Sequence, residues 1–266
     1  MAGEYLHGHH ESVLRSHRWR TAENSAAYLL PRLQSGQQLL DVGCGPGTLT
    51  ADLARLVAPG RVTALEQSAD ALGLAREEIA ARGIDNVDFM VGDVHDLLDI
   101  PDDAYDVVHA HQVLQHVADP VRALREMRRV CRPGGVVAVR DSDYGGFVWS
   151  PAIPELAEWL SLYKRLARTA GGEPEAGRWL LALTHEVGFS EVVATSSTWC
   201  FATPEDRGWW GGLWAERVVE SAFADRAAEA GVRIQDLQRI ADGWRRWAAS
   251  ADGWFSVLHG EILATV

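Results

Sequence analysis

Apolar runs alternate with glycine-rich or polar turns through the first half of the chain. Leu39, Leu40 and Val42 form one run around Asp41; Gly43, Gly45 and Gly47 follow, then Leu49, Leu53 and Leu56 at helical spacing. A buried run, a tight turn and an amphipathic repeat predict a strand, a turn and the start of a helix. The unit recurs. Residues 61–66 predict a second strand ending in Glu66, with Ser68 as N-cap of a helix through Leu72, Ala75 and Ile79 that Gly83 closes. Residues 86–94 predict a third strand ending at Gly92-Asp93, and residues 104–117 a fourth strand with the segment just past it. Asp119-Pro120 opens a helix with Val121, Leu124, Met127 and Val130 on one face, because proline's missing N–H costs nothing at the first helical position. Val136 to Arg140 is the fifth strand. Strands alternating with helices predict a parallel, doubly wound sheet, whose ligands bind at the carboxyl ends of the strands.

The flanks follow a different pattern. Leu14, Trp19, Ala26, Tyr28, Leu29, Leu30 and Leu33 predict one or two amphipathic helices before the first strand. Pro151 to Ala170 and Arg178 to Val187 read as helices, the second closed by Gly188, and Val192 to Phe201 as a β-branched strand. Residues 204–250 are helical in pattern, with Trp210, Trp214, Val218 and Phe223 on one face and Leu237, Ile240, Trp244 and Trp247 on a later one; Gly211, Gly212 and Gly243 weaken that pattern by about 1 kcal/mol each. Trp254 to Val266 returns to strand character.

Composition narrows the function classes. A chain of 266 residues that is 47% hydrophobic can bury a substantial core. A formal charge of −12 argues against a nucleic-acid or anionic-membrane surface, so neither partner is expected. No apolar run reaches the length of a membrane span, and the N-terminus lacks the basic-then-apolar signature of a secretion signal. Cys44, Cys131 and Cys200 are odd in number and far apart, as in a cytoplasmic protein with reduced thiols. The run His7-x-His9-His10 has no Cys or carboxylate cluster beside it, so no metal site is expected.

The glycine turn carries the first chemical information. Glycines let the main chain take unusual φ/ψ and touch a ligand, and the following helix adds free N–H groups. The spacing is G-x-G-x-G rather than the dinucleotide G-x-G-x-x-G, whose third glycine would fall at Thr48. Asp41, two residues before Gly43, would repel a pyrophosphate and suits an ammonium group. Glu66, at the end of the second strand, can hydrogen-bond two ribose hydroxyls.

This stretch resembles motif I of the class I S-adenosylmethionine-dependent methyltransferases. The resemblance covers roughly residues 37–140, about two fifths of the chain. Within the family the chain looks like the ubiquinone/menaquinone-type small-molecule enzymes, by Leu-Asp-Val-Gly-Cys-Gly-Pro-Gly, by Gln115-His116-Val117 before Asp119-Pro120, and by Arg132-Pro133-Gly134-Gly135. It departs from the quinone enzymes in its tryptophan-rich C-terminal part, so a secondary metabolite is as good an acceptor as a quinone. The fold implied is a doubly wound, mostly parallel seven-stranded sheet, Rossmann-like, with a last antiparallel strand. On this reading residues 1–35 are a helical cap, 36–203 the cofactor-binding core, 204–250 a helical lid and 251–266 the final strand.

The resemblance also implies the site. S-adenosylmethionine would lie along the Gly43, Gly45 and Gly47 backbone, with Asp41 at its ammonium, Glu66 and Gln67 at its ribose, and Asp93 and the Val94 N–H at its adenine; Ala110 and His111 would complete the cradle. The methyl group on a sulfonium is already activated, so transfer is an in-line displacement in which positioning can supply up to roughly 7–11 kcal/mol. The acceptor is a small molecule with a C or O nucleophile. His111 and His116 are candidate bases, since imidazole titrates near neutral pH. Trp19, Arg20, Asp141, Trp209, Trp210 and Trp214 are candidate acceptor contacts, and tryptophan packing leaves a homodimer contact open. Two alternatives stay open: a nicotinamide oxidoreductase, and a catalytically silent partner subunit that only binds S-adenosylmethionine.

Overall fold

The computed structural model describes residues 11–266; the His7-x-His9-His10 run lies outside the described residues. In chain order the elements are α1 (Glu11–Arg18), α2 (Ala22–Ser25), β1 (Leu39–Val42), α3 (Thr48–Val57), β2 (Val62–Glu66), α4 (Ala69–Ala81), β3 (Val87–Val91), β4 (Tyr105–His111), α5 (Pro120–Val130) and β5 (Cys131–Ser142). There follow β6 (Val148–Ser150), α6 (Pro154–Thr169), α7 (Leu180–Val187), β7 (Glu191–Phe201), α8 (Pro204–Glu220), α9 (Ala222–Glu229), α10 (Ile234–Ala249) and β8 (Trp254–Thr265).

β1 to β5 pair in parallel in the order β3-β2-β1-β4-β5, and β8 runs antiparallel against β5 on one edge and β7 on the other. The reversal of strand order between β1 and β4 is the crevice where such sheets bind ligands. The sheet has eight strands rather than the expected seven. The extra one, β6, pairs with Trp254–Ser256 at the start of β8, beyond the end of β5. Three residues are too few to show an alternating pattern, and only pairing with β8 makes them a strand. β5 is also longer than the Val136–Arg140 run: β8 extends it to Ser142, and Cys131 pairs with Tyr105 across an irregularity in the ladder.

Local chemistry explains the helix boundaries. Ser68 Oγ accepts the Ala71 N–H and Asp119 caps α5 through the Arg122 N–H, with Pro120 at the first position. Thr203 and Asp206 form a reciprocal capping box at the start of α8. α6 begins at Pro154 and α7 at Leu180, each later than the apolar pattern alone placed it, because a bend and a 3-10 turn precede them.

Two apolar layers sandwich the parallel strands. On one face Leu39, Val107 and Ala138 pack against α3 and α4, and on the other Val108, Ala110 and Val139 pack against α5 and α7. A third, largely aromatic core joins α6, α8 and α10 to the β7–β8 end of the sheet. Trp159 lies edge-on to Trp214 at 4.5 Å and to Trp244 at 4.8 Å, and Trp210 stacks on Phe201 at 4.4 Å. Gly211 allows α8 to approach α10 closely, since a Cβ there would lie 2.8 Å from that of Ala248. No helix among the described residues is long and apolar enough to cross a membrane.

Candidate active site

A cavity of about 880 Å³ opens at the carboxyl ends of β1, β2 and β4. The β1–α3 turn forms its floor. Gly43, Gly45 and Gly47 all have positive φ, which explains three glycines in five residues. They differ in task. Gly43 and Gly45 line the cavity, whereas Gly47 does not, because a Cβ there would sit 3.0 Å from the Ala75 backbone. Gly47 therefore serves the close packing of α3 on α4.

Asp41 lines the cavity and is held rigidly. Its Oδ2 accepts from Thr50 Oγ1 at 2.6 Å and its Oδ1 pairs with His109 Nδ1 at 2.8 Å. Glu66 ties the cofactor loops together: its Oε2 accepts the Gly45 N–H at 3.1 Å, and its Oε1 accepts the Gln67 and Ser68 N–H groups. Asp93 is fixed by the backbone and ring N–H groups of His95. Burial pushes the Asp93 carboxyl up, but those bonds outweigh it and hold the group below the usual carboxylate range. Glu66, Gln67, Asp93 and Val94 all line the same cavity. Burial pushes the Cys44 thiol up, which disfavours the thiolate in this loop.

The other end of the cavity is formed by Leu14, His17 and Arg20 from the N-terminal segment and by His111, Gln112, Val113, His116 and Val117 after β4. Arg226 lines it from α9, with Asp225 and Glu229 exposed beside it. His111 is 5% exposed, packed between Trp199 and His259, and neither ring nitrogen has a hydrogen-bond partner among the described residues. Burial, reinforced by Arg20, pushes the His111 imidazole well below its usual value and that of His116 down to about 3. Both rings are therefore neutral at neutral pH and are weak proton acceptors.

Several expected contacts lie elsewhere. Trp210 and Trp214 are buried in the aromatic core and do not line the cavity; Trp19 packs against Trp199, Phe201 and Trp209. Their helical spacing marks an apolar face, on which Trp210 meets Phe201 and Phe255 of the sheet and Trp214 meets Trp159 of α6 and Trp244 of α10. Asp141 is fully buried; its Oδ1 accepts the Gln115 N–H at 3.1 Å, so it props the segment carrying His116 from behind. Burial pushes its carboxyl up to about 7. The Ala110 side chain belongs to the core on the α5 face.

Gln112 is the site residue that sequence patterning misses. Its backbone takes φ of 56°, and its amide is gripped on both ends: Oε1 accepts from Arg20 Nη2 at 2.6 Å, while Nε2 donates to Ser142 Oγ at 2.8 Å and to His259 Nε2 at 2.9 Å. Its only signal is its place immediately after the fourth strand, next to His111. Behind it, Arg140 on β5 pairs with Glu261 on β8 at 3.1 Å, and Thr195 on β7 donates to the same carboxylate. Burial pulls the Arg140 guanidinium down to about 10, with Glu261 opposing it.

S-adenosylmethionine fits this arrangement. Positive-φ glycines bring the main chain to the cavity, and Asp41, Glu66 and Asp93 set three carboxylates along one elongated cleft of sufficient volume. Comparison with known proteins agrees. A methyltransferase-domain family model matches residues 33–194. A methyltransferase of Schizosaccharomyces pombe is 33% identical over 270 residues, covering 97% of this chain and 95% of that one. The demethylmenaquinone methyltransferase of Listeria monocytogenes is 32% identical over 145 residues, 54% of this chain and 58% of its own. The crystal structure of the YcgJ protein from Bacillus subtilis superposes with a TM-score of 0.58 at 15% identity, covering 90% of this chain and 96% of that one, and shares the fold. The nicotinamide alternative falls with these matches: the chain belongs to the class I S-adenosylmethionine-dependent methyltransferases.

Proposed function

We propose that the enzyme methylates a small molecule, quinone-like or a secondary metabolite, at a carbon or oxygen nucleophile held inside this cavity. The observation that carries the reading is the continuity of the site. One cavity of about 880 Å³ runs from the carboxylate-lined cofactor cleft to the end formed by Arg20, His111, Gln112 and His116. That volume lies at the upper end of the range for small-molecule sites and leaves room for cofactor and acceptor together.

Asp41 would take the methionyl ammonium, Gly43 and Gly45 the methionine part, Glu66 and Gln67 the ribose, and Asp93 with the Val94 N–H the adenine. Bound there, S-adenosylmethionine supplies an activated methyl group. The chain contributes position and a dry wall. Val113 and Val117 present apolar surface after β4, and Leu14 covers the cavity from α1. With both imidazoles neutral and weakly basic, His111 and His116 act by hydrogen bonding rather than by taking a proton at neutral pH.

Glu66→Ala tests the cofactor assignment. Loss of a charged hydrogen-bonding partner should weaken S-adenosylmethionine binding by more than about 1 kcal/mol in calorimetric titration. An unchanged dissociation constant in a folded variant would refute the ribose role. In parallel, turnover against a panel of phenols, enols and quinols separates a working enzyme from a binding-only subunit.

A further inference from the structure

The carboxylate just past β3 has one oxygen engaged and one free. Asp93-Val94-His95-Asp96 forms a β-turn, closed by the Asp96 N–H on the Asp93 carbonyl at 2.9 Å. Aspartate suits the first position of such a turn because its side chain can accept the N–H two residues on. Here Asp93 Oδ1 accepts the His95 N–H at 2.9 Å, and His95 Nδ1 meets the same oxygen at 2.6 Å. A carboxylate can only accept, so Nδ1 carries the proton of that bond. The other ring nitrogen, Nε2, is buried and has no partner among the described residues, so the ring's one hydrogen bond goes to Asp93.

Asp93 Oδ2 accepts nothing from the described residues, and the side chain, 39% exposed, lines the cavity. Arg122 lies near enough to favour the ionised carboxyl but forms no ion pair with it among the described residues. The Val94 N–H, at the second position of the turn, is not used by it, and the buried Val94 side chain anchors that peptide in the core on the α5 face. A free acceptor and a free donor thus stand on adjacent residues. An aminopurine edge offers their complement, an amine hydrogen beside a bare ring nitrogen. An oxopurine edge offers a carbonyl oxygen beside an N–H, so each of its groups would meet its like.

We propose that His95 sets the base specificity of the cleft as a positioning residue: by holding Asp93 Oδ1 it leaves Oδ2 as the lone acceptor beside the Val94 N–H, so that an aminopurine is taken and an oxopurine refused. This rests on the reading of Asp93 and Val94 as the adenine contacts, and it adds the residue that makes them selective. The same hold fixes which way an amide would sit. In Asp93→Asn the two His95 donors keep the amide oxygen at the Oδ1 place, and the amide nitrogen is left at the free place as a donor.

The test is calorimetric titration of the full chain with S-adenosylhomocysteine and with S-inosylhomocysteine, its oxopurine analogue. The wild type should prefer the first by about tenfold or more, since the second leaves polar groups unpaired. Asp93→Asn should shift that preference toward the oxopurine by about tenfold or more. His95→Leu should lessen the wild-type preference several-fold. In the double variant His95→Leu with Asp93→Asn the shift should be much smaller, because one donor alone holds the amide less firmly. His95→Asn, whose amide nitrogen takes the place of Nδ1, should keep both effects. A merely structural role for His95 would weaken the two ligands alike and leave the preference untouched. If His95→Leu shows the wild-type preference, or if Asp93→Asn shifts it equally with and without His95, the proposal falls while the adenine reading stands. If the wild type binds both ligands alike, or if Asp93→Asn leaves the preference unchanged, the adenine reading falls and the proposal with it.

Discussion

Residues of one chemical type take opposite roles here according to which strand face presents them. Asp41 and Asp141 both end parallel strands, yet Asp41 opens on the cavity while Asp141 is sealed behind the segment from Gln115 to His116. The sealed carboxyl is pushed up to about 7 by burial, against an ordinary value near 4 in the unfolded chain. An acid whose folded value is raised favours the native state least when it should be ionised. Its cost is absent below about pH 4, grows as pH rises, and is complete above about pH 7. Asp141→Asn removes the titration while keeping an acceptor for the Gln115 N–H. Going from pH 5 to pH 8, the variant should therefore gain about 2–3 kcal/mol of stability relative to the wild type. Urea unfolding of both proteins at the two pH values reads this directly, and parallel pH dependences would show that Asp141 is ionised throughout.

At the scale of elements, the tryptophans of α6, α8 and α10 hold the C-terminal helices to the sheet rather than lining the cavity. Trp244 is fully buried among Trp159, Trp214, Trp247 and Phe255. Trp244→Ala should cost about 3–5 kcal/mol of stability in denaturant titration while leaving S-adenosylhomocysteine affinity unchanged in the folded fraction. A loss of affinity without a loss of stability would place Trp244 at the site instead. The parallel half of the fold was legible because each strand ends in a turn with its own chemistry: glycines after β1, Glu66 and Ser68 after β2, Gly92-Asp93 after β3, Asp119-Pro120 before α5. The carboxylates that line one end of the cavity were legible for the same reason, since Asp41, Glu66 and Asp93 lie at or just past those strand ends. The end lined by Arg20, His111 and Gln112 was not. Helical spacing shows that Trp210 and Trp214 share a face, but not whether that face meets a ligand or a sheet. Gln112 matters through three partners distant in sequence, Arg20, Ser142 and His259, and no local pattern brings these together.

Across the whole molecule, the N-terminal segment joins the two halves of the structure over the cavity. Leu14, His17 and Arg20 line it; the His17 carbonyl accepts from Thr48 Oγ1 at the start of α3, and the Trp199 indole N–H on β7 donates to the Asn24 carbonyl. On the far side Arg15 pairs with Glu216, and the buried Arg217 on α8 donates to the Ser12 carbonyl at 2.9 Å and to Ser16 Oγ at 3.0 Å. Arg217 thus holds α1 from α8 through Ser12 and Ser16. An eight-residue helix is marginal by itself and depends on such docking. Arg217→Met keeps most of the side-chain volume and removes the donors. Amide exchange over residues 11–20 should then quicken at least tenfold, and bound S-adenosylhomocysteine should dissociate several-fold faster, because the segment that covers it opens more often. Exchange confined to its wild-type rate would mean that α1 is held by its apolar contacts alone. Faster exchange with an unchanged dissociation rate would mean that the ligand leaves by a path that α1 does not cover.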